Sequence, residues 1–200
     1  MPIVMILLGG CSSAPLRYEK VQGAKWDARS VVLVKKNKKS NLVHMDILAF
    51  QAPDRMRLEV TTPMGIHLAS MALKNDEFQV ALTRQKSYYV GRASAKTLQP
   101  IIGAEIDPRV LLSVLFDRVP DFSQGWECIY GEKGYLESCK NEKESISINW
   151  KHRELARKVV EIETEKVNLQ VSLKGYEPID NTEASTFEIA LPTGFKKKKL

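Results

Sequence analysis

Three cysteines and three histidines are the side chains of this 200-residue chain best suited to metal ligation, nucleophilic attack or cross-linking. His44, His67 and His152 lie far apart, and none sits in a metal-ligand or triad motif. Cys128 and Cys139 fall in WECIYGEKGYLESCK with no histidine beside them, and two cysteines cannot close a zinc site. That segment reads as a hairpin turning at residues 131–134. Cysteines on paired strands can approach the distance a disulfide needs, so the alternatives are a cross-strand bond or two small buried thiols. There is no Gly-rich phosphate loop and no Gly-Xaa-Ser-Xaa-Gly elbow. Glu161, Glu163 and Glu165 alternate along one strand-like run, as solvated carboxylates do. The expectation is a protein without catalytic chemistry, metal or cofactor.

The third cysteine has a different setting. Cys11 follows the apolar run Ile3 to Leu8 and the small residues Gly9 and Gly10. Leu8-Gly9-Gly10-Cys11 resembles a bacterial lipobox, in which the cysteine thiol carries a diacylglycerol. The resemblance implies a signal peptide over 1–10 and a lipidated tether over 11–24. The ten residues before Cys11 carry no charge and are fewer than the roughly 15–30 of a secretory signal. Acylation at Cys11 would anchor the protein to a bilayer. It would also leave Cys128 and Cys139 as an even pair in a compartment that permits disulfides.

Composition narrows the class of the remainder. The 44% hydrophobic content is too high for disorder, and 200 residues suit one domain, expected over 25–195. No apolar run reaches the roughly 18 residues of a spanning helix. The formal charge is +6, but without Lys196–Lys199 it falls to +2. A nucleic-acid partner is therefore not indicated. Residues 196–200 are expected to be a solvated basic tail, with contact to anionic lipid as the alternative. Lys35, Lys36, Lys38 and Lys39 read as a solvated turn.

Period-two alternation dominates the body. Met56, Leu58 and Val60 share one face of a strand, as do Phe78, Val80 and Leu82. Ile146 to Trp150, Val167 to Leu173 and Phe187 to Leu191 repeat the pattern. Turn residues about every 10 positions predict a large curved antiparallel sheet or barrel. Tyr88 and Tyr89 would face opposite sides, and Trp26, Trp126 and Trp150 read as core or rim packing. Two helices interrupt the strands. A short one is expected over 95–102. A second has Asp107 as N-cap and Pro108 as first residue, and runs until Pro120 ends it. The second is apolar on most of its circumference, so it should be enclosed against the concave side of the sheet.

One turn is anomalous. Thr61-Thr62-Pro63-Met64-Gly65 joins two alternating strands, yet places an apolar side chain where turn tips are usually polar. Composition alone favours Met64 folding back on the sheet; an exposed Met64 is the alternative.

The run MRLEVTTPMGIHLASMALKNDEFQVAL, followed by a helix ending in VLFDRVPD, resembles the LolB family of outer-membrane lipoprotein receptors. The resemblance spans about Arg57 to Asp121, a third of the chain. It implies a mainly β fold, an unclosed antiparallel barrel of about 10–11 strands with short helices plugging the concave side. It implies acceptance of acylated lipoproteins from a LolA-like periplasmic carrier and their insertion into the outer membrane. The family's protruding leucine falls on Met64, between Pro63 and Gly65, and Thr62 stands where the family has asparagine. Expected acyl-chain cavity residues are Met56, Leu58, Val60, Phe78, Val80 and Leu82 from the sheet, with Leu111, Leu112, Leu115 and Phe116 from the plug. The protein would be a monomer on the periplasmic side of the outer membrane, held by Cys11. The alternative is a lipid-binding or scaffold lipoprotein of the same fold without transfer activity.

Overall fold

The alternating runs form strands, and the strands form one sheet. The structure is a computed structural model that describes residues 14–199; Cys11 and the expected signal segment lie outside them. The strands are β1 (Gly23–Val34), β2 (Lys39–Phe50), β3 (Arg55–Thr61), β4 (His67–Lys74), β5 (Glu77–Leu82) and β6 (Ser87–Arg92), then β7 (Trp126–Tyr130), β8 (Leu136–Asn141), β9 (Ile146–Glu154), β10 (Arg157–Thr164), β11 (Val167–Pro178) and β12 (Lys196–Lys199). Helices α1 (Gln99–Ile102) and α2 (Pro108–Phe116) lie between β6 and β7. The spatial order is β12-β6-β5-β4-β3-β2-β1-β11-β10-β9-β8-β7. Every pairing is antiparallel except β12 on β6, and the two edge strands do not meet. The architecture is thus an unclosed, mainly β sheet, as expected, with twelve strands among the described residues rather than 10–11.

Burial follows the pleat. In β3, Met56, Leu58 and Val60 are buried while Arg57 and Glu59 face outward. In β1, Ala24, Trp26, Ala28 and Ser30 form the inner face. Strand β11 needs one extra residue opposite Trp26, because Lys25 pairs with Glu177 and Asp27 with Lys174. Gly175 takes φ +61° at that bulge, and a Cβ there would lie 2.6 Å from the Asp27 carboxylate, so glycine is required.

Helix α2 starts as predicted: the Asp107 carboxylate accepts the Arg109 N–H at 2.9 Å and Pro108 opens the helix. It ends at Phe116, before Pro120, because Asp117 turns into the left-handed region at φ 54°. The Asp117 side chain explains this. Buried, it accepts from Trp150 Nε1 at 2.7 Å and from Lys158 Nζ at 2.8 Å, and it pairs with Arg153. Lys158 is itself fully buried, and its ammonium also donates to the Val114 and Leu115 carbonyls at 2.8 and 2.6 Å. Its Nζ sits 4.1 Å from the Tyr18 ring centroid. All three ammonium protons thus have acceptors, two of them at the negative end of the helix. Helix α1 is shorter than expected, with Gly103 as a left-handed cap at φ 75°.

Two expectations near the end of the chain are corrected. Phe187, Ile189 and Leu191 do not form a strand: Ala184–Phe187 is a 3-10 turn and Leu191 is exposed. Phe187 and Ile189 still bury, on the outer face of the sheet. Side chains replace the ladder there: Gln79 Oε1 accepts the Ile189 N–H at 2.7 Å, Tyr88 donates to the Ile189 carbonyl, and Arg57 donates to the Glu188 carbonyl. Lys196–Lys199 are not a solvated tail. They pair in parallel with Ser87–Val90, with all four side chains exposed. Tyr88 does face the outer cluster while Tyr89 packs on the inner one. Trp26 and Trp150 are core and Trp126 is half-buried. Cys128 and Cys139 sit opposite each other on β7 and β8 and are joined by a disulfide.

Burial depresses the Lys158 ammonium from its usual 10.5 to about 8, only partly offset by Asp117. Between those values the unfolded chain holds a proton that the folded chain has released. Raising pH through that window therefore adds stability from this group. We expect Lys158→Met to lose about 3 kcal/mol at neutral pH, since it strands two helix carbonyls and weakens the support of Asp117. In urea titrations the gap between the native protein and this variant should widen from pH 8 to 10.5; a constant gap would refute the assignment.

Candidate functional site

Between the inner face of the sheet and the two helices lies a cavity of about 500 Å³. Its size falls within the roughly 300–1,000 Å³ typical of small-molecule sites. Strands β1 and β2 contribute Val32, Val34, Val43, Met45 and Ile47; β3 contributes Met56, Leu58 and Val60. Leu68, Ala69 and Met71 come from β4, Leu82 from β5, and Leu169 and Val171 from β11. Leu98, Ile101, Ile102, Leu111, Val114 and Leu115 close it from the helical side. Among the described residues no charged side chain lines it, and Ser30 and Asn41 are its polar side chains. A wall of this kind solvates hydrocarbon and rejects ions. The Ser30 hydroxyl is buried and has no hydrogen-bond partner among the described residues.

Six of the ten expected cavity residues line this space: Met56, Leu58, Val60, Leu82, Leu111 and Leu115. Phe78, Val80, Leu112 and Phe116 do not; they are fully buried in the closed part of the core. Helical spacing separates the two groups on α2. Leu111, Val114 and Leu115 share the cavity face, at i, i+3 and i+4. Leu112 and Phe116 share the adjacent face, where the Phe116 ring meets Trp26 edge-on at 5.5 Å. Phe78 borders the β4–β5 turn, at the end of the sheet away from Val34 and Asn41. The β1–β2 contribution went unrecognised in the sequence, although Val43, Met45 and Ile47 alternate with His44 and Asp46.

The cavity opens at one end. Its lining residues that keep exposure include Val34, Asn41, Val43, Ile102 and Gly103, beside the β1–β2 turn. The β3–β4 turn lies at the same end, since His44 pairs with Thr61. There Met64 is 85% exposed, so it does not fold back on the sheet. The turn itself is well built. Gly65 N–H donates to the Thr62 carbonyl at 2.9 Å, and Thr62 Oγ1 accepts the Ile66 N–H at 3.1 Å. Gly65 takes φ +81°, and Thr62 supplies the local side-chain bond that an asparagine would offer there.

Outer-face side chains brace the base of this turn. His67 contacts Thr83 Oγ1 at 2.8 Å and Glu59 at 3.0 Å, and Arg57 donates to Glu59 at 2.6 Å. Partial burial pushes the Glu59 carboxyl up, but hydrogen bonds from Ser70, His67 and Arg57 outweigh it and hold the group below its usual value.

Solved structures with this arrangement are recognisable. A LolA superfamily protein, NE2245 from Nitrosomonas europaea, matches at a TM-score of 0.54 and 6% identity, over 86% of this chain and 94% of that one. The chain shares its fold with that protein. A DUF1329 family protein from Desulfovibrio piger matches at 0.53 and 10% identity, over 86% and 91% of the two chains. A domain from Vibrio parahaemolyticus, provisionally named an outer membrane lipoprotein-sorting protein, matches at 0.51 and 9%, over 83% and 89%. No protein-family model and no curated protein sequence matches the chain. At such identities the LolA-type likeness concerns the fold alone.

The division of α2 has a measurable consequence. Leu112→Ala should cost about 2–5 kcal/mol, as a cavity in a closed core does. Leu111→Ala enlarges a space that is already open and should cost less than half as much. Denaturant midpoints decide it; equal losses would mean that the cavity face is misassigned.

Proposed function

We propose that this protein is an outer-membrane lipoprotein that receives acylated lipoproteins from a LolA-like carrier and inserts them into the membrane. The observation that supports this best is the uncharged cavity of about 500 Å³ opening beside a turn whose tip is an exposed methionine. The cavity holds the acyl chains of the client. Each buried methylene contributes roughly 0.8 kcal/mol, so donor and receiver must be closely matched for chains to pass between them. The bilayer is the deeper sink. Met64, on the braced turn of Pro63 and Gly65, enters the lipid and brings the mouth to it. Ser30 offers its unpaired hydroxyl to an ester or carboxyl oxygen of the bound chain. Acylated Cys11 keeps the domain at the membrane on the periplasmic side, a compartment that suits the Cys128–Cys139 disulfide.

The test uses a labelled lipoprotein loaded on a LolA-like donor, with vesicles as final acceptor. The protein should strip the donor and deliver to vesicles. Met64→Asp should accept cargo normally and deliver at least about tenfold more slowly, since an ion must be desolvated to enter lipid. Bound phospholipid with no acceptance of cargo would replace this reading by that of a passive lipid-binding lipoprotein.

A further inference from the structure

The end of the sheet that carries Met64 is also where the basic side chains of two flanking turns converge. The β1–β2 turn holds Lys36 and Lys38, with Lys39 opening β2, and the β5–β6 turn holds Arg84 and Lys86, all exposed. The third turn contributes the apolar tip, with Met64 85% and Ile66 59% exposed. Residues 35–42, 61–67 and 83–87 contain no aspartate or glutamate. Among the described residues, none of these five cations has a carboxylate partner, whereas the neighbouring Lys35 is paired with Glu163 at 2.6 Å. Strand β12 extends the basic border, because its first residue hydrogen-bonds to the Lys86 carbonyl.

The other half of the same end is different. Glu142, Glu144 and Glu165 stand on the β8–β9 and β10–β11 turns, with Glu163 near the end of β10 and Lys143 and Lys166 among them. The positive charge is therefore confined to the β1–β6 half, around the apolar tip. Cations spread evenly over a solvated surface would not leave an acid-free half beside a mixed one.

We infer that this basic collar docks the protein on anionic phospholipid, with the Met64–Ile66 tip at its centre and the cavity mouth turned to the bilayer. The docking rests on the reading of the Met64 turn as a membrane-entering tip and adds a headgroup preference to it. Lysine and arginine at the headgroup level gain attraction from a negative surface within a screening length. The apolar tip alone would show no such preference. The collar also sets the tilt: the basic half meets the membrane and the acidic half is held off it.

The test is co-sedimentation of the full chain carrying Cys11→Ser, so that no acyl anchor contributes. Vesicles are phosphatidylcholine alone or with roughly 30 mol% phosphatidylglycerol. The chain should bind the anionic vesicles at least about tenfold more tightly, and salt near 1 M, where the screening length is about 3 Å, should abolish the difference. Replacing Lys36, Lys38, Lys39, Arg84 and Lys86 with Gln should remove the preference. Replacing five exposed lysines elsewhere, Lys20, Lys25, Lys133, Lys151 and Lys174, should keep it. Equal binding to both vesicles, or equal loss in the two variants, overturns the inference. Uptake of a fluorescent fatty acid is read separately. Loss of that uptake in the native chain would count against the cavity reading and leave the docking result standing.

Discussion

An open sheet with an apolar inner face must be covered, and here the cover hangs on one buried cation. Helix α2 has nine residues, too few to be stable alone. Its C-terminal carbonyls would be stranded in the core without a donor. Lys158 supplies it from β10, and Asp117 neutralises the charge while capping the helix. The arrangement is mutual: the lysine is tolerated at full burial because the helix end gives it acceptors, and the helix is fixed because the lysine cannot leave. With Phe116 packed on Trp26, the face of α2 that carries Leu111, Val114 and Leu115 is turned to the inner face of the sheet. The cavity is what that placement leaves unfilled.

Why it stays unfilled follows from the side chains around it. Alanine at 69 and branched, mid-sized residues at 32, 43 and 60 do not reach across to the helices. The large side chains sit elsewhere: Trp26, Tyr18, Phe116 and Phe78 occupy the closed parts of the core. Aromatic volume is thus spent away from the mouth, and aliphatic residues line the space. Such a division gives a rigid base that anchors the helix and an apolar chamber beside it.

Much of this was legible in the sequence because pleat periodicity is local. The alternation in β3, β5, β9 and β11 needs only neighbouring residues to read, and Asp107-Pro108 marks a helix start by itself. What escaped was decided by distant partners. Nothing around Lys158 shows that it will meet a helix end more than 40 positions earlier, and Asp117 ends the helix for that same reason. Phe187 and Ile189 alternate like a strand, yet Gln79 and Tyr88 take up their backbone bonds. Leu111 and Leu112 look equivalent in sequence; only the docking of α2 separates them. Met64 defied the expectation from composition: the turn holding it is closed by its own bonds, and its side chain stands in solvent.

The charge excess acquires a different meaning once the topology is known. Four consecutive lysines looked like a tail, but they complete an exposed edge, where unpaired N–H and C=O groups invite other strands. Lysine on such an edge discourages pairing, and Lys198 rests against Tyr89 as it does so. At the opposite edge β7 is fastened to β8 by a disulfide. The lysines thus guard one margin of the unclosed sheet, and the disulfide holds the other edge strand on its neighbour. The near-neutral remainder is not evenly mixed either. Turns distant in sequence place their cations together because alternate hairpins of an antiparallel sheet return to the same end. A modest +6 over the whole chain can therefore include a strongly positive rim, and that rim flanks the exposed Met64 tip.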